Sequence, residues 1–238
     1  QASGLQERAG SDEGSGVSRL HVLKVFVGEG GAGGNPLGMF LDGGEVPEGD
    51  RQAVAADLGF SETVFVEDAS EGRLRIFTPT TELPFAGHPL VGTAWLLAHE
   101  GLEVSPLRPP AGEVAVRFDG DLTFITGRPE WAPLYEHIEL GSPAEVEALD
   151  GPPEGHDHAG VWAWEDRGAG RIRARVFPLR IGIMEDEATG AHAVRLAARL
   201  GREIVIRQGE GSLILAEPRP DGTVEIGGRT ELVETREY

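Results

Sequence analysis

The sequence contains no cysteine. This absence excludes disulfide bonds, thiolate metal ligands, cysteine nucleophiles and racemases that work with two thiols. A reducing compartment fits the absence, and we therefore expect a cytoplasmic protein. No apolar run approaches the ~18 residues that a membrane span needs, and no signal-peptide pattern opens the sequence. The sequence thus predicts no membrane partner.

Positive charge is also scarce. Lys24 is the only lysine among 21 basic residues, which face 40 acidic residues and leave a formal net charge of −19. Such a surface repels phosphate backbones, so we predict no nucleic-acid partner. An anionic small molecule would need a local electropositive pocket to overcome this field.

Residues 1–19 are rich in Gly, Ser, Gln and acidic residues, which predicts a disordered N-terminal tail. From Leu20 onward, apolar positions alternate in short runs that predict β-strands. These runs are LHVLKVFVG, GMFLDG, TVFVED, RLRIFT, EVAVRFDG, DLTFITG, IRARVFPL, EIVIRQG, SLILAEP and TVEIGG. The last two flank Pro220-Asp221-Gly222, a strong signal for a hairpin turn. Four helices are predicted, at Asp50–Leu58, Pro89–Glu100, Pro143–Leu149 and Ala191–Leu200.

The organisation is duplicated. In each half an Arg-rich strand (RLRIF, then RIRARVF) leads through an acidic loop into a helix that begins directly after a glycine, Gly87 or Gly190. Two such units predict a pair of pseudo-symmetric lobes, residues 20–128 and 129–238. Residues 151–160, rich in Gly and Pro, are predicted to be a loop or a linker between lobes.

The two helix starts are candidate anion sites, because the first backbone N–H groups of a helix are unpaired and its dipole is positive there. Each start stabilises an anion by about 0.3–1 kcal/mol, or ~2 kcal/mol when partly buried. Gly87 and Gly190 would let a ligand approach the backbone closely. The alternative is that both are ordinary turns in which glycine relieves crowding.

Side chains near these turns are candidates for acid–base chemistry. His88 could donate a hydrogen bond to substrate or relay protons, although a lone histidine is often a surface or core residue. Glu62 opens an apolar strand, where desolvation would raise its carboxyl pKa from ~4.3 toward ~6–7, the useful range for a base. The alternative is an exposed glutamate at a strand end. His192 is a counterpart of His88 in the second helix.

Two further sequence patterns give little evidence of a functional site. His156 and His158 lie in a Gly/Pro-rich loop without a third ligand in register, so we expect no metal site there. The glycine run at residues 28–34 lacks the Gly-Lys-Ser/Thr ending and the following helix of a phosphate-binding loop.

Four pieces of the sequence together resemble the PhzF-like (phenazine biosynthesis-like) isomerases. The pieces are Gly34-Asn35-Pro36, Ser61-Glu62-Thr63-Val64-Phe65, the FAGHPLVGTA run at residues 85–94, and the GIMEDEATG run at residues 182–190. The resemblance covers most of residues 20–230. The pairing of FAGHPxxGTA with EDxATG, in this order, is specific.

The resemblance implies a diaminopimelate-epimerase-like α+β fold with two pseudo-symmetric lobes, each a curved, mostly antiparallel sheet around a central helix. It also implies a homodimer, a small-molecule substrate bound between the lobes, and no cofactor. The resemblance assigns Glu62 as the catalytic acid/base, with His88 and Asp186 binding the substrate and helping to move protons. The positions that shape the substrate pocket are Ser61, Gly87, Thr189 and Gly190.

Two positions depart from the usual EDPATGS pattern of these proteins: Glu187 replaces the proline and Ala191 replaces the serine. The lost hydroxyl removes a substrate contact of about 0.5–1.5 kcal/mol net, and Glu187 adds negative charge beside the expected anion site. The chain is also shorter than typical members between about residues 139 and 160, where we expect another strand of the second lobe.

We therefore expect an isomerase that moves a proton on a small carboxylate or amino-acid-like metabolite, with Glu62 as general acid/base. A catalytically degenerate protein that binds a small molecule or partner is the alternative. A third possibility keeps Glu62 but carries out a lyase or tautomerase reaction.

Overall fold

The computed structural model describes residues 18–102 and 106–238. The predicted disordered tail lies outside the described residues, apart from Ser18 and Arg19, and Arg19 already begins the first strand. None of the helices in these two ranges has both the length and the apolar character needed to cross a membrane.

Four α-helices and thirteen strands form the framework of the described chain. The helices are α1 (Arg51–Leu58), α2 (Gly87–His99), α3 (Pro143–Glu147) and α4 (Gly190–Leu200). The first-half strands are β1 (Arg19–Val27), β2 (Asn35–Phe40), β3 (Glu62–Asp68), β4 (Arg73–Phe77), β5 (Glu82–Leu83), β6 (Val116–Asp119) and β7 (Leu122–Gly127). The second-half strands are β8 (Glu136–Glu139), β9 (Ala159–Asp166), β10 (Arg171–Phe177), β11 (Ile204–Gln208), β12 (Ser212–Pro218) and β13 (Val224–Glu237).

All four predicted helices are present, with ends shifted by one or two residues. The helix α2 begins at Gly87, two residues before the predicted start at Pro89. Proline is tolerated within the first turn of a helix, because the N–H group that it lacks would be unpaired there in any residue. Both α1 and α4 end at left-handed glycines, Gly59 and Gly201, as expected for helix C-termini.

The strands β5, β8, β9 and the second half of β13 were not predicted from the sequence. The strand β9 has five consecutive buried residues, so it lacks the alternation by which half-buried strands are recognised. The second half of β13 is polar and mostly exposed, and it is a strand because it pairs with β1 over Arg229–Glu237. The extra strand expected between residues 139 and 160 is absent from that described segment, where α3 and a loop connect β8 to β9.

The duplicated organisation is confirmed and extends further than the sequence pattern. The series β2–α1–β3–β4–α2 recurs as β8–α3–β9–β10–α4. In both series the first two strands pair in parallel around a short helix, and the next two form an antiparallel hairpin. Each series then ends in the long helix that lies against its own lobe's sheet.

One strand joins the two halves of the sheet. The path of paired strands runs β5-β4-β3-β2-β1-β13-β12-β11-β10-β9-β8, with β7 also pairing with β13. The first residues of β13 pair with β12 and β7, and its later residues pair with β1. Backbone hydrogen bonding is therefore continuous between the two lobes. The predicted lobe boundary between residues 128 and 129 stays a prediction.

The starts of α2 and α4 meet in the middle of the molecule. A Cβ atom added to Gly87 would lie 2.6 Å from the Cα of Gly190, and one added to Gly190 would lie 2.8 Å from the Cα of Gly87. The same two positions contact the Cδ1 atom of Ile226 on β13. Only glycine lets the two helix backbones come this close, since any side chain would overlap the other backbone.

We predict that Gly190→Ala lowers the free energy of unfolding by about 1–3 kcal/mol, because the methyl group overpacks a contact between two backbones. Gly151→Ala is the control, since its added Cβ has nothing within 4 Å. Urea unfolding of both variants measures the effect. Equal stability of the two variants would contradict the close approach of the helices.

Candidate active site

The residues predicted from the sequence come together between the two helix starts. Glu62 is the first residue of β3, His88 is the second residue of α2, and Asp186 pairs with Val176 of β10 just before α4. Glu62, His88, Asp186, Gly87, Thr189 and Gly190 all line one small cavity of ≈20 Å³. Ser61 lines an adjoining open groove of ≈380 Å³, and Asp186 lines both spaces.

Glu62 and His88 face each other inside this cavity. The Oε2 atom of Glu62 lies 3.4 Å from Nε2 of His88, and the two side chains are 7% and 3% exposed. Neither of these two atoms has a hydrogen-bond partner among the described residues. Buried polar atoms are normally paired, so both atoms are available to a bound molecule.

Burial sets the protonation states of the three titratable groups. Desolvation, and secondly the negative charge of Asp186, raise the pKa of Glu62 to about 8, against a smaller opposing effect of the nearby Ser61 side chain. Desolvation lowers the pKa of His88 to about 3 and raises that of Asp186 to about 6. At neutral pH the site therefore holds a largely protonated Glu62 opposite a neutral His88.

Asn35 connects the first lobe to Asp186, although it was not among the site residues predicted from the sequence. Its amide nitrogen donates to Oδ1 of Asp186 at 2.7 Å and to the carbonyl of Ala188 at 2.9 Å. Its amide oxygen accepts a hydrogen bond from the Ser61 hydroxyl at 3.1 Å. The sequence did contain a signal for Asn35, because Gly34-Asn35-Pro36 is one of the motif pieces. Its role was not predicted because its hydrogen-bond partner, Asp186, lies 151 residues away in sequence.

The second carboxylate oxygen of Asp186 is held by residues of its own lobe. The Thr189 hydroxyl donates to Oδ2 of Asp186 at 2.7 Å. Gln208, which is fully buried on β11, donates to the Asp186 carbonyl and to the Thr189 hydroxyl, and accepts from the Thr189 N–H. Gln208 was not predicted because nothing in the β11 sequence distinguishes it from an ordinary strand residue.

No side chain caps the start of either helix. The residues that precede α2 and α4, Ala86 and Thr189, make no side-chain hydrogen bond to the first helical N–H groups. The Thr189 hydroxyl points instead to Asp186. The unpaired N–H groups of two adjoining helix starts therefore border the cavity, which is the local electropositive feature that a strongly acidic protein needs to bind an anion.

The opposite wall of the cavity is mainly apolar. Its side chains are Leu83, Phe85, Pro133, Tyr135, Pro178 and Ile181. Ile181 belongs to the segment before Asp186, and its carbonyl accepts a hydrogen bond from the Thr80 hydroxyl of the first lobe at 3.2 Å. This contact joins the two lobes through a residue that lines the cavity. Tyr135 lies in no motif piece, so no sequence signal predicted its place in the site.

The two departures from the motif have different consequences. Glu187 does not line the small cavity; its Oε1 accepts hydrogen bonds from the Glu210 N–H at 2.9 Å and the Ser212 hydroxyl at 2.7 Å. Its charge still acts on the site, because it helps to raise the pKa of Asp186. Ala191 does line the cavity, and it packs in a small apolar cluster with Tyr135.

We predict that Glu62→Gln makes the protein more stable than wild type at pH 8, and that the gain shrinks toward pH 5. The raised pKa means that folded Glu62 keeps a proton which the unfolded chain has released between its ordinary pKa of 4.5 and about 8. Rising pH through this window therefore reduces wild-type stability, and the amide removes the effect.

Urea unfolding at pH 5, 6.5 and 8 measures this difference. Glu71→Gln is the matched control, since Glu71 is 60% exposed and lies in the turn between β3 and β4. A stability difference between Glu62→Gln and wild type that is constant with pH would contradict the burial of an ionisable Glu62.

Comparison with solved structures confirms the α+β, diaminopimelate-epimerase-like fold. The chain superimposes on a phenazine biosynthesis PhzC/PhzF protein from Clostridium difficile with a TM-score of 0.74 at 20% identity, covering 92% of this chain and 98% of that one. A hydroxyproline epimerase from Agrobacterium vitis superimposes with a TM-score of 0.61 at 14% identity, covering 93% and 91%.

Sequence comparison identifies the family. Residues 24–146 match the family model described as phenazine biosynthesis-like protein. The trans-2,3-dihydro-3-hydroxyanthranilate isomerase of Pseudomonas aeruginosa is 32% identical, over 84% of this chain and 85% of that protein. The chain therefore belongs to the phenazine biosynthesis-like protein family and is an enzyme of the isomerase type.

Proposed function

We propose that this chain is a cofactor-independent isomerase in which Glu62 removes a proton from one carbon of a small carboxylate and returns it to another. The observation that carries this proposal is the cavity itself. It places the unpaired Oε2 atom of Glu62 3.4 Å from the unpaired Nε2 atom of His88, next to Asp186 and two helix starts.

The proton transfer needs no outside reactant. Ionised Glu62 takes a proton from carbon, the electron pair left behind shifts the double bond of the substrate, and protonated Glu62 then returns the proton at a second carbon. With a pKa of about 8, roughly one site in ten holds ionised Glu62 at pH 7. A base with a pKa near the working pH is the most effective proton acceptor that can also return the proton.

His88 and Asp186 have supporting roles in this proposal. Neutral His88 presents Nε2 to the cavity, so it can exchange a proton with Glu62 or hydrogen-bond the substrate. Asp186 is fixed by Asn35 and Thr189, and its position is therefore set from both lobes. Its proximity to Glu62 also disfavours two simultaneous negative charges in the cavity.

The substrate in this proposal is a small carboxylate or amino-acid-like compound. Its carboxylate would lie at the unpaired N–H groups of α2 and α4, where negative charge is stabilised. The remainder would face the apolar wall formed by residues such as Phe85 and Ile181. The substrate named for the Pseudomonas aeruginosa relative, trans-2,3-dihydro-3-hydroxyanthranilate, has this character and is the first compound to test.

A substrate of this size requires the site to open. The small cavity of ≈20 Å³ holds about one water molecule. The groove of ≈380 Å³ on the other side of Asp186 is large enough to receive a small molecule. Movement of the segment from Ile181 to Asp186, with loss of the Thr80–Ile181 hydrogen bond, would join the two spaces.

We predict that Glu62→Gln lowers the rate of isomerisation about 10²–10⁴-fold, the usual contribution of one positioned acid/base. The assay incubates the dihydro-hydroxyanthranilate in D₂O and follows deuterium incorporation at carbon by NMR. Glu71→Gln should exchange at the wild-type rate. Undiminished exchange by Glu62→Gln would refute the role of Glu62.

The rival functions give different results in the same assay. A saturable ligand without C–H exchange in wild type would indicate a binding protein, the alternative raised by the missing hydroxyl at Ala191. A product with a different composition from the substrate would indicate a lyase. A homodimer remains an expectation from the family resemblance, and a cytoplasmic location remains an expectation from the absence of cysteine.

We also predict that kcat/KM rises between pH 6 and pH 8, because Glu62 must be ionised before it can remove a proton. The midpoint reports the coupled pair of Glu62 and Asp186 rather than either group alone. A pH–rate profile of deuterium exchange measures it. A rate that falls over this range would show that the reaction begins from protonated Glu62 instead.

A further inference from the structure

Tyr135 is the one hydroxyl-bearing side chain on the mainly apolar wall of the cavity. It lies in the segment that leads into β8, and it is 9% exposed. None of the motif pieces contains it, and it has no part in the proton transfer described above. A role for Tyr135 in binding the same substrate rests on the proposed function.

Two buried histidines hold the ring of Tyr135 in place. The ring of His158 stacks on it with centroids 4.4 Å apart and planes 20° apart. The ring of His192, on α4, meets it edge to face at 5.5 Å and 83°. Burial lowers the pKa of both histidines, so both rings are neutral near pH 7 and pack as aromatic groups.

The position of His192 is in turn enforced by the neighbouring strand. Gly160 on β9 leaves the space that the imidazole occupies, since a Cβ atom there would lie 2.0 Å from Nε2 of His192. Tyr135 is therefore packed against two buried rings and does not lie free on the surface. A side chain fixed in this way can present its hydroxyl to a ligand with little loss of conformational entropy.

Tyr135 lines the cavity, and no hydrogen bond from the described part of the chain is among the influences on the pKa of its phenol. Desolvation, together with the negative charges of Asp186 and Glu62, raises its pKa far above neutrality, so the phenol keeps its proton and acts as a donor. A ligand oxygen on the cavity side could therefore serve as its acceptor.

Ala191 lies beside Tyr135 at the position where the family pattern has serine. Both residues line the cavity and pack against each other with Ala132 and Val176. The chain therefore lacks a hydroxyl at the start of α4 but carries one on the side chain that contacts this position.

We propose that Tyr135 is a substrate-binding residue whose hydroxyl donates a hydrogen bond to an oxygen of the bound carboxylate substrate. It supplies the hydrogen bond that a serine at position 191 would otherwise make. The specificity of this chain then depends on a phenol held by His158 and His192.

The kinetic test compares Tyr135→Phe with Tyr238→Phe. Tyr238 is the only other tyrosine, and its hydroxyl bonds Asp57 on the surface. We expect Tyr135→Phe to lower kcat/KM for the dihydro-hydroxyanthranilate on the order of 10-fold, the effect of losing one hydrogen bond to a substrate oxygen. Adding Ala191→Ser to Tyr135→Phe should restore part of that loss, whereas Tyr238→Phe should match wild type.

A second measurement does not depend on turnover. Protein labelled with 3-fluorotyrosine has one ¹⁹F signal from Tyr135 and one from Tyr238, assigned with the two Phe variants. Titration with 3-hydroxyanthranilate should shift the Tyr135 signal and leave the Tyr238 signal unchanged. Equal kcat/KM for Tyr135→Phe and wild type, or binding that leaves the Tyr135 signal in place, would overturn the inference.

The two measurements separate this inference from the proposed function. If wild type shows no C–H exchange, isomerase action on this substrate fails, while a shifted Tyr135 signal would still support its contact with the ligand. If wild type shows exchange and Tyr135→Phe retains full activity, the isomerase proposal stands and the role of Tyr135 is wrong.

Discussion

The contact between Gly87 and Gly190 is the constraint on which the rest of the site depends. It brings the first turns of two helices from different lobes within backbone contact, with Ile226 packed against both. Their unpaired N–H groups therefore border a single cavity. A side chain at either position would separate the helix starts, and with them His88 on α2 and the Asp186–Thr189 turn before α4.

The close approach also explains why the titratable groups have unusual pKa values. Because the lobes meet so tightly, Glu62, His88 and Asp186 lie almost entirely out of water, and desolvation is the largest influence on each. Burial therefore raises the pKa of both carboxyl groups and lowers the pKa of the imidazole. The same burial that disfavours the ionised form of Glu62 therefore makes that form a stronger base.

The hydrogen bonds of Asp186 combine contributions from both halves of the molecule. Asn35 reaches it from β2 in the first lobe, while Thr189 and Gln208 hold it from the second. A movement of one lobe relative to the other must therefore change the surroundings of Asp186. In the proposed reaction, substrate access and the protonation of the Glu62–Asp186 pair would therefore be linked.

The departures at Glu187 and Ala191 show how a motif can change without losing its framework. Glu187 turns away from the cavity and ties its loop to Ser212, so its main contacts stabilise the loop. Ala191 lacks the hydroxyl of the serine in the motif, and it packs against Tyr135. The cavity therefore lacks the hydroxyl donor that the motif implies at position 191.

The local sequence by itself determined the four helices, most strands and the duplicated unit, and its motifs singled out Glu62, His88 and Asp186, which the structure brings to one cavity. Alternating apolar residues, glycine at helix ends and two specific motifs act over short distances, so they can be recognised along the chain. Tertiary structure alone decided that β13 pairs with both lobes, that Asn35 bonds a residue 151 positions away, and that Tyr135 enters the site. Those outcomes depend on which surfaces meet when the lobes pack, because an amide or a phenol in an ordinary segment acquires its role only from distant neighbours.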